Sequence, residues 1–231
     1  MGREEADLMD ADEFLAALPG LFDDFPNSER PGGRRFDDII ATVPNLSTEN
    51  NLALLNLAAS LLPSAESYVE VGSFLGASLI GAMRGNEDKN FVAIDRFEST
   101  TQPFSSSGSL VSRKAFEANL KRFGATGATV IEGDAFEVLE SAQLERWQVG
   151  VFFWDADHTH EGQLRGLRDI QPRLAPGAVL IIDNADRPDV MAGIDEWLLE
   201  QPRARPALEL GGRTRGQPWW HDGIRILRWE G

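Results

Sequence analysis

Ser67-Tyr68-Val69-Glu70-Val71-Gly72-Ser73-Phe74-Leu75-Gly76-Ala77-Ser78 decides how the rest of the chain is read. A short β-rich run, Tyr68 to Val71, meets two glycines spaced four apart. An apolar helical pattern follows through Leu79, Ile80, Ala82 and Met83. Strand, tight turn and helix in that order make the first half of a nucleotide-binding α/β unit. Gly72 and Gly76 let the backbone turn sharply and let a ligand approach it closely. The helix then opens with unpaired N–H groups aimed at that ligand. A second β-rich run, Phe91-Val92-Ala93-Ile94-Asp95, ends in a carboxylate 23 residues after Gly72, with Arg96 next. That is the offset at which an acidic side chain takes the hydroxyls of a bound ribose.

Working outward, the alternation continues. Strand 67–71 leads to a helix at 77–84, and strand 91–95 to a helix at 111–123. Strand 128–132 leads to a helix at 134–142, strand 149–154 to one at 162–174, and strand 178–182 to one at 188–200. Two strands, 206–211 and 223–229, close the chain. Repeated βα units predict an α/β fold with a doubly wound, mostly parallel sheet and helices on both faces. Before the first strand, Ser47 or Thr48 can cap a helix that runs to Leu62 and stops at Pro63. Its apolar face is Leu52, Leu55, Leu57, Ala58 and Leu61.

Residues 1–46 differ in composition and form an acidic N-terminal arm ahead of the domain at 47–231. Acids crowd the first 24 positions, with Phe14, Leu15, Leu18 and Leu21 at helical spacing among them. Two readings of the arm stand side by side: a frayed, solvated tail, or a segment that caps the site or a partner subunit. Residues 97–110 are low in complexity and too long for a minimal βα loop. They read as a disordered surface loop or as a lid that orders over bound ligands.

Composition narrows the function. A chain of 231 residues is long enough for one domain with a sizeable core. The absence of cysteine excludes disulfides, thiolate metal sites and thiol catalysis. A net charge of −15 repels phosphate backbones, so nucleic acid is not the expected partner and a small molecule is favoured by elimination. No apolar run approaches the ~20 residues that span a bilayer, and no membrane partner is expected. Met1-Gly2-Arg3-Glu4-Glu5 lacks the basic-then-apolar order of a signal peptide. The cytoplasm is the expected compartment.

The chemistry concentrates in Val151-Phe152-Phe153-Trp154-Asp155-Ala156-Asp157-His158, an apolar strand ending in two acids and a histidine. The next strand, Ala178 to Ile182, ends in Asp183-Asn184. If the two strands are adjacent and parallel, ~4.8 Å apart, Asp155 and Asp183-Asn184 converge at the rim where open α/β sheets bind ligands. Two carboxylates and an amide oxygen make a hard oxygen site suited to Mg²⁺ or another divalent cation. His158 is placed to take a proton near neutral pH. Bland alternatives remain: Asp155 as a ligand for a cofactor's amino group without metal, Asp183-Asn184 as an ordinary turn, and His158 as a loop hydrogen-bonder. His160 reads as structural or exposed. His221, after Trp219-Trp220 in the last β-β connection, is a minor candidate.

These motifs resemble a known family. A dinucleotide turn needs G-x-G-x-x-G; E-x-G-x-x-x-G at Glu70 to Gly76 instead resembles motif I of class I S-adenosylmethionine (SAM) methyltransferases. The D-x-D-H pattern at Asp155 to His158 and the pair Asp183-Asn184 look like those of metal-dependent O-methyltransferases of the catechol, caffeoyl-CoA and macrocin types. The resemblance covers about residues 48–229 and implies the seven-stranded Rossmann-like methyltransferase sheet, its last strand antiparallel. It implies that Asp155, Asp183 and Asn184 hold the metal. The catechol type has a lysine base three residues past the first Asp; this chain has His158. The turn residues Glu70, Gly72, Ser73, Gly76 and Ser78 would meet the amino-acid end of SAM, with Asp155 beside them. Asp95 and Arg96 would meet the ribose, and Gly133-Asp134-Ala135 the adenine, although Asp134 also reads as a helix N-cap. The expected function is SAM-dependent transfer of a methyl group to a hydroxyl of a small molecule, with a divalent metal polarising the acceptor oxygen; the rivals are a metal-free class I enzyme acting on N, C or carboxylate, a nicotinamide oxidoreductase, and a non-catalytic SAM-binding protein. Family habit suggests a homodimer.

Overall fold

The computed structural model describes residues 8–33, 35–98 and 111–231. Seven strands form one sheet: β1 Ser67–Val71, β2 Asn90–Asp95, β3 Thr129–Glu132, β4 Val149–Trp154, β5 Leu174–Asp183, β6 Ala204–Leu210 and β7 Ile224–Trp229, in the order β3-β2-β1-β4-β5-β7-β6. All neighbours are parallel except the two pairs made by β7. The helices are α1 Ala11–Ala17, α2 Asp37–Thr42, α3 Glu49–Ser60, α4 Ala77–Met83, α5 Arg113–Arg122, α6 Ala135–Glu140, α7 His160–Ile170 and α8 Pro188–Glu200. None is long and apolar enough to cross a membrane. Strand order reverses between β1 and β4, which opens a crevice at the carboxyl ends of the strands.

The strands are apolar on both faces because helices cover both. Successive side chains point to opposite sides. Tyr68, Val151, Phe153, Val179 and Ile181 therefore pack with α3, α4 and the arm, whereas Val69, Val71, Phe152, Trp154, Leu180 and Ile182 pack with α6, α7 and α8. Fully burying one such side chain contributes about 1.5–3 kcal/mol.

The expected strands and most helices are present, with shifts at their ends. β5 starts at Leu174, four residues before the apolar run, and a register irregularity against β4 accommodates Pro176 and Gly177 in that extension. Helix α3 is capped by the Thr48 side chain, which accepts from Asn51 N–H at 3.2 Å. Leu52, Leu55 and Ala58 are fully buried, but so is Leu54 on the other side. The arm explains this: it covers the face of α3 that would otherwise meet water.

Among the described residues the arm is part of the core. Phe14, Leu18, Phe36 and Ile39 are buried in the same cluster as β1, β4 and β5, so residues 8–33 are no solvated tail. Asp10 caps α1, accepting from Asp12 and Glu13 N–H. Met9 N–H reaches Glu66 at the start of β1, 3.2 Å away. Further along, the Pro26 carbonyl accepts from both indole N–H groups, Trp219 at 2.8 Å and Trp220 at 2.9 Å. The arm thus runs from the amino-terminal edge of the sheet to the β6–β7 connection at the opposite rim. Residues 99–110, most of the stretch read as loop or lid, lie outside the described residues.

Candidate active site

Strand register assembles the rim. Val71 pairs with Ile94 and Trp154, and Trp154 with Ile182. The next residues, Gly72, Asp95, Asp155 and Asp183, therefore stand in a row across four neighbouring strands. Gly72 N–H donates to the Ile94 carbonyl and Asp155 N–H to the Val71 carbonyl, both at 2.9 Å. Gly72 has φ +93°, and a Cβ on it would overlap the Asp155 carbonyl. Only glycine fits where these strands leave the sheet.

Beside this row lies a cleft of about 660 Å³, within the usual range for a small-molecule site of ~300–1,000 Å³. Gly72, Asp95, Arg96, Gly133, Asp134, Ala135 and Asp155 line it, as the sequence reading expects of cofactor residues; Phe74, Phe136, Asp157 and His158 line it too. Asp95 accepts from Phe74 N–H through one oxygen and from Phe97 N–H through the other, each at 2.7 Å. Burial holds its carboxyl above the usual carboxylate range, against those two donors. Asp134 caps α6 by accepting from Phe136 and Glu137 N–H, and its other oxygen pairs with Arg96. The sequence reading did not foresee that Arg96–Asp134 pair, which joins residues 38 apart.

Glu70, Ser73, Gly76 and Ser78 are not among the residues lining the cleft. Glu70 is fully buried beneath the turn and accepts from Tyr68 Oη and Ser78 Oγ, each at 3.0 Å. Burial pushes its carboxyl up to about 7, against those donors and Ser73. Gly76 backs onto the Phe116 ring. Glu70 thus lies beneath the turn, as the sequence reading expects, with Ser78 bonded to it.

Asp155, His158 and Asn184 come together on the other side of the row. His158 Nε2 is 3.2 Å from Asp155 Oδ1, Asn184 Nδ2 is 3.0 Å from the same oxygen, and Asn184 Nδ2 is 3.1 Å from His158 Nε2. The amide turns its nitrogen to Asp155 and His158; half a turn of the side chain would present its oxygen there instead. Asn184 has φ +59°, and its N–H donates to Asp183 Oδ1 at 2.7 Å. Asp183 is buried; burial first, and then the charge of Asp155, raises its carboxyl well above the usual range. Asp157 organises the loop: its Oδ1 accepts from Thr159 N–H at 2.8 Å and Thr159 Oγ1 at 2.7 Å. His160 pairs with Glu196 at 2.9 Å on the outer surface.

Two further features escaped the sequence reading. Asp186, its side chain only 3% exposed, ties the β5–α8 loop to the β6–β7 connection by accepting from Gly212 N–H at 3.0 Å and from the Thr214 hydroxyl. One more acid in Asp183-Asn184-Ala185-Asp186 carries no local signal of that distant role. The Pro26 carbonyl, shared by two indoles, is backbone and has no sequence signal at all.

The model of a methyltransferase domain matches residues 69–185, just over half of the chain. The chain belongs to the methyltransferase-domain family. Its fold is that of class I SAM-dependent methyltransferases, and solved structures agree. Rv0187 from MTB, described as cofactor-bound, is 21% identical with a TM-score of 0.62, covering 100% of this chain and 99% of its own. The O-methyltransferase TomG from Streptomyces achromogenes, involved in tomaymycin synthesis and solved with SAM, is 18% identical with a TM-score of 0.62 and full coverage of both chains. An O-methyltransferase from Bacillus cereus, solved with SAH, is 17% identical with a TM-score of 0.61, covering 94% of this chain and 99% of its own. No curated protein matches by sequence.

The residues of this methyltransferase domain suit the ligands its fold implies. Among the described residues the cleft lining is acidic, through Asp95, Glu98, Asp134, Asp155 and Asp157, and its one arginine, Arg96, is paired with Asp134. Such a lining suits a cofactor with a sulfonium and an ammonium group and opposes the pyrophosphate of a dinucleotide. At the rim, two carboxylates and an amide offer hard oxygen donors for a divalent cation. Among the described residues no set of three or more His, Cys, Asp or Glu side chains stands ready for a metal, so the third donor would have to be Asn184.

Proposed function

We propose that this protein is a SAM-dependent O-methyltransferase that transfers a methyl group to a hydroxyl of a small molecule, with a divalent cation such as Mg²⁺ at Asp155, Asp183 and Asn184. The observation that carries the reading is the meeting of Asp155, His158 and Asn184 within 3.0–3.2 Å at the edge of the acidic cleft. The O-methyltransferase names of the Streptomyces and Bacillus structures support the same choice.

SAM, when bound, supplies an electrophilic methyl on a positively charged sulfur. A divalent cation, when bound, lowers the pKa of an adjacent hydroxyl. The chain's own residues do the rest. The Gly72 turn and Asp95 hold the cofactor's amino-acid and ribose parts, while Asp134 and Ala135 border its base. Asp155 hydrogen-bonds His158 Nε2, orienting the ring and stabilising it when it carries a proton. His158 takes the proton that the acceptor hydroxyl loses, and the rim aligns that oxygen with the methyl group. The acidic surface makes nucleic acid an unsuitable acceptor. A cytoplasmic location and a homodimer belong to the same proposal.

The test is isothermal titration of chelator-treated protein with SAM, then with Mg²⁺ in the presence of SAM, repeated on Asp183→Ala. The expected result is SAM binding by both proteins and Mg²⁺ binding by the wild type alone. SAM binding with no Mg²⁺ heat in the wild type would favour a metal-free methyltransferase. No SAM binding would overturn the reading.

A further inference from the structure

We propose that His221 contacts the methyl acceptor, as a second imidazole of the site alongside His158; this rests on the methyltransferase reading above. Three independent observations meet at this residue. The first is its backbone, at φ 55° and ψ −117°, a region that favours glycine and that a histidine occupies only at a cost in stability. The turn itself needs no imidazole: His221 N–H donates to the Pro218 carbonyl at 3.1 Å, and its own carbonyl accepts from Arg213 N–H at 2.8 Å. Glycine would make the same two bonds without strain.

The second observation is an unused nitrogen. His221 Nδ1 is buried and has no hydrogen-bond partner among the described residues. The nearest acid, Asp222, is 4.0 Å away and is held by Arg213 at 2.8 and 2.7 Å. Buried polar atoms are rarely left unpaired without a reason, and a ligand is one such reason.

The third is location. The segment that carries it is bonded to the loop that carries Asn184: Ala185 N–H donates to the Gly223 carbonyl at 3.0 Å and Asp186 N–H to the Asp222 carbonyl at 2.8 Å. His221 therefore stands one residue from a strip that adjoins the proposed transfer site, and the charges of Asp155 and His158 reach its ring. Burial keeps its pKa below the usual histidine value. A neutral imidazole offers one donor and one acceptor nitrogen, which suits a hydroxyl-bearing acceptor without net charge. The charge of Asp155 opposes an anionic one. The loop cannot easily relax away from this pose, because Trp219 and Trp220 are both bonded to the Pro26 carbonyl and Thr48 Oγ1 donates to the Trp219 carbonyl at 2.7 Å.

The experiment uses full-length protein with SAM and Mg²⁺ and a panel of phenol, catechol and methyl glucoside; the wild type's best acceptor serves as the probe. For His221→Gly the expected results are an unfolding temperature equal to or above wild type and unchanged SAM titration. With them goes a fall in kcat/KM of about tenfold or more, carried mainly by KM. His221→Asn, which tolerates positive φ and keeps a donor and an acceptor, should recover part of the loss. Unchanged turnover in His221→Gly would overturn the proposal, and so would a lowered unfolding temperature, which would make the ring a structural prop. A wild type that binds no SAM overturns the methyltransferase reading, and this proposal with it, before any variant is made.

Discussion

The two halves of the rim are built differently. On the cofactor side, at the ends of β1, β2 and β3, the carboxylates are held by the protein's own donors. Both Asp95 oxygens accept backbone N–H groups, Glu70 is held by two hydroxyls, and Asp134 caps a helix and pairs with Arg96. On the acceptor side, at the ends of β4 and β5 and in the β6–β7 connection, groups face one another with bonding capacity to spare. Burial and then the charge of Asp155 hold the Asp183 carboxyl above its usual range, and His221 Nδ1 has no partner among the described residues. A site that binds one invariant cofactor gains from rigidity. A site that must take a proton, and receive an oxygen from outside, keeps valences open for the ligand to fill.

One substitution should break both halves together. Gly72→Ala would press a methyl group into the Asp155 carbonyl at a φ of +93°. It is expected to destabilise the protein by on the order of 4 kcal/mol and to remove SAM binding, read by urea denaturation and titration. A variant that stays as stable as wild type would mean that the two halves are not locked through this turn. Asp95→Ala should sharpen the contrast by injuring the cofactor side alone. SAM affinity is predicted to fall about tenfold, or ~1.4 kcal/mol, while Mg²⁺ binding at saturating SAM is unchanged. An equal loss of both would show that the halves act as one.

Glu70→Gln should have the smallest effect, and on stability. The folded carboxyl titrates near 7 and its reference value is 4.5, so between those values the folded state binds more protons than the unfolded one. Stability on this account is highest below about 4.5, falls as pH rises towards 7 and stays reduced above. Gln does not ionise, so the variant's stability should lose that slope, a difference of about 1 kcal/mol between pH 5 and pH 6. Urea melts at the two pH values measure it, and parallel slopes in both proteins would mean that Glu70 is not desolvated in solution.

The same contrast explains what could be read in advance. β1, its glycine turn and Asp95 lie within 29 residues, 67–95, and declare themselves through local pattern. Asp155 and Asp183 were legible because each ends an apolar strand, and adjacency follows from the βα alternation. The role of Ser78 was harder to read: spacing places it at the turn but does not tell whether it faces the ligand or supports the turn from behind. The all-round burial of α3 was hidden because the covering arm was read as a separate segment. His221 and Asp186 depend on contacts across the fold, and Pro26 acts through its carbonyl, which is common to every residue.

The shared carbonyl of Pro26 also bears on the order in which the molecule is completed. It waits for Trp219 and Trp220, 193 and 194 residues further along. A chain emerging from the ribosome has every described part of the cofactor cleft in hand by His158. The acceptor rim needs β7, which pairs with β5 from Asp183–Ile224 onwards, and only then can the arm close over it. Non-local pairings of this kind are the slow ones. The nascent protein would therefore acquire its cofactor-binding half first, and its acceptor half only once β7 has been made.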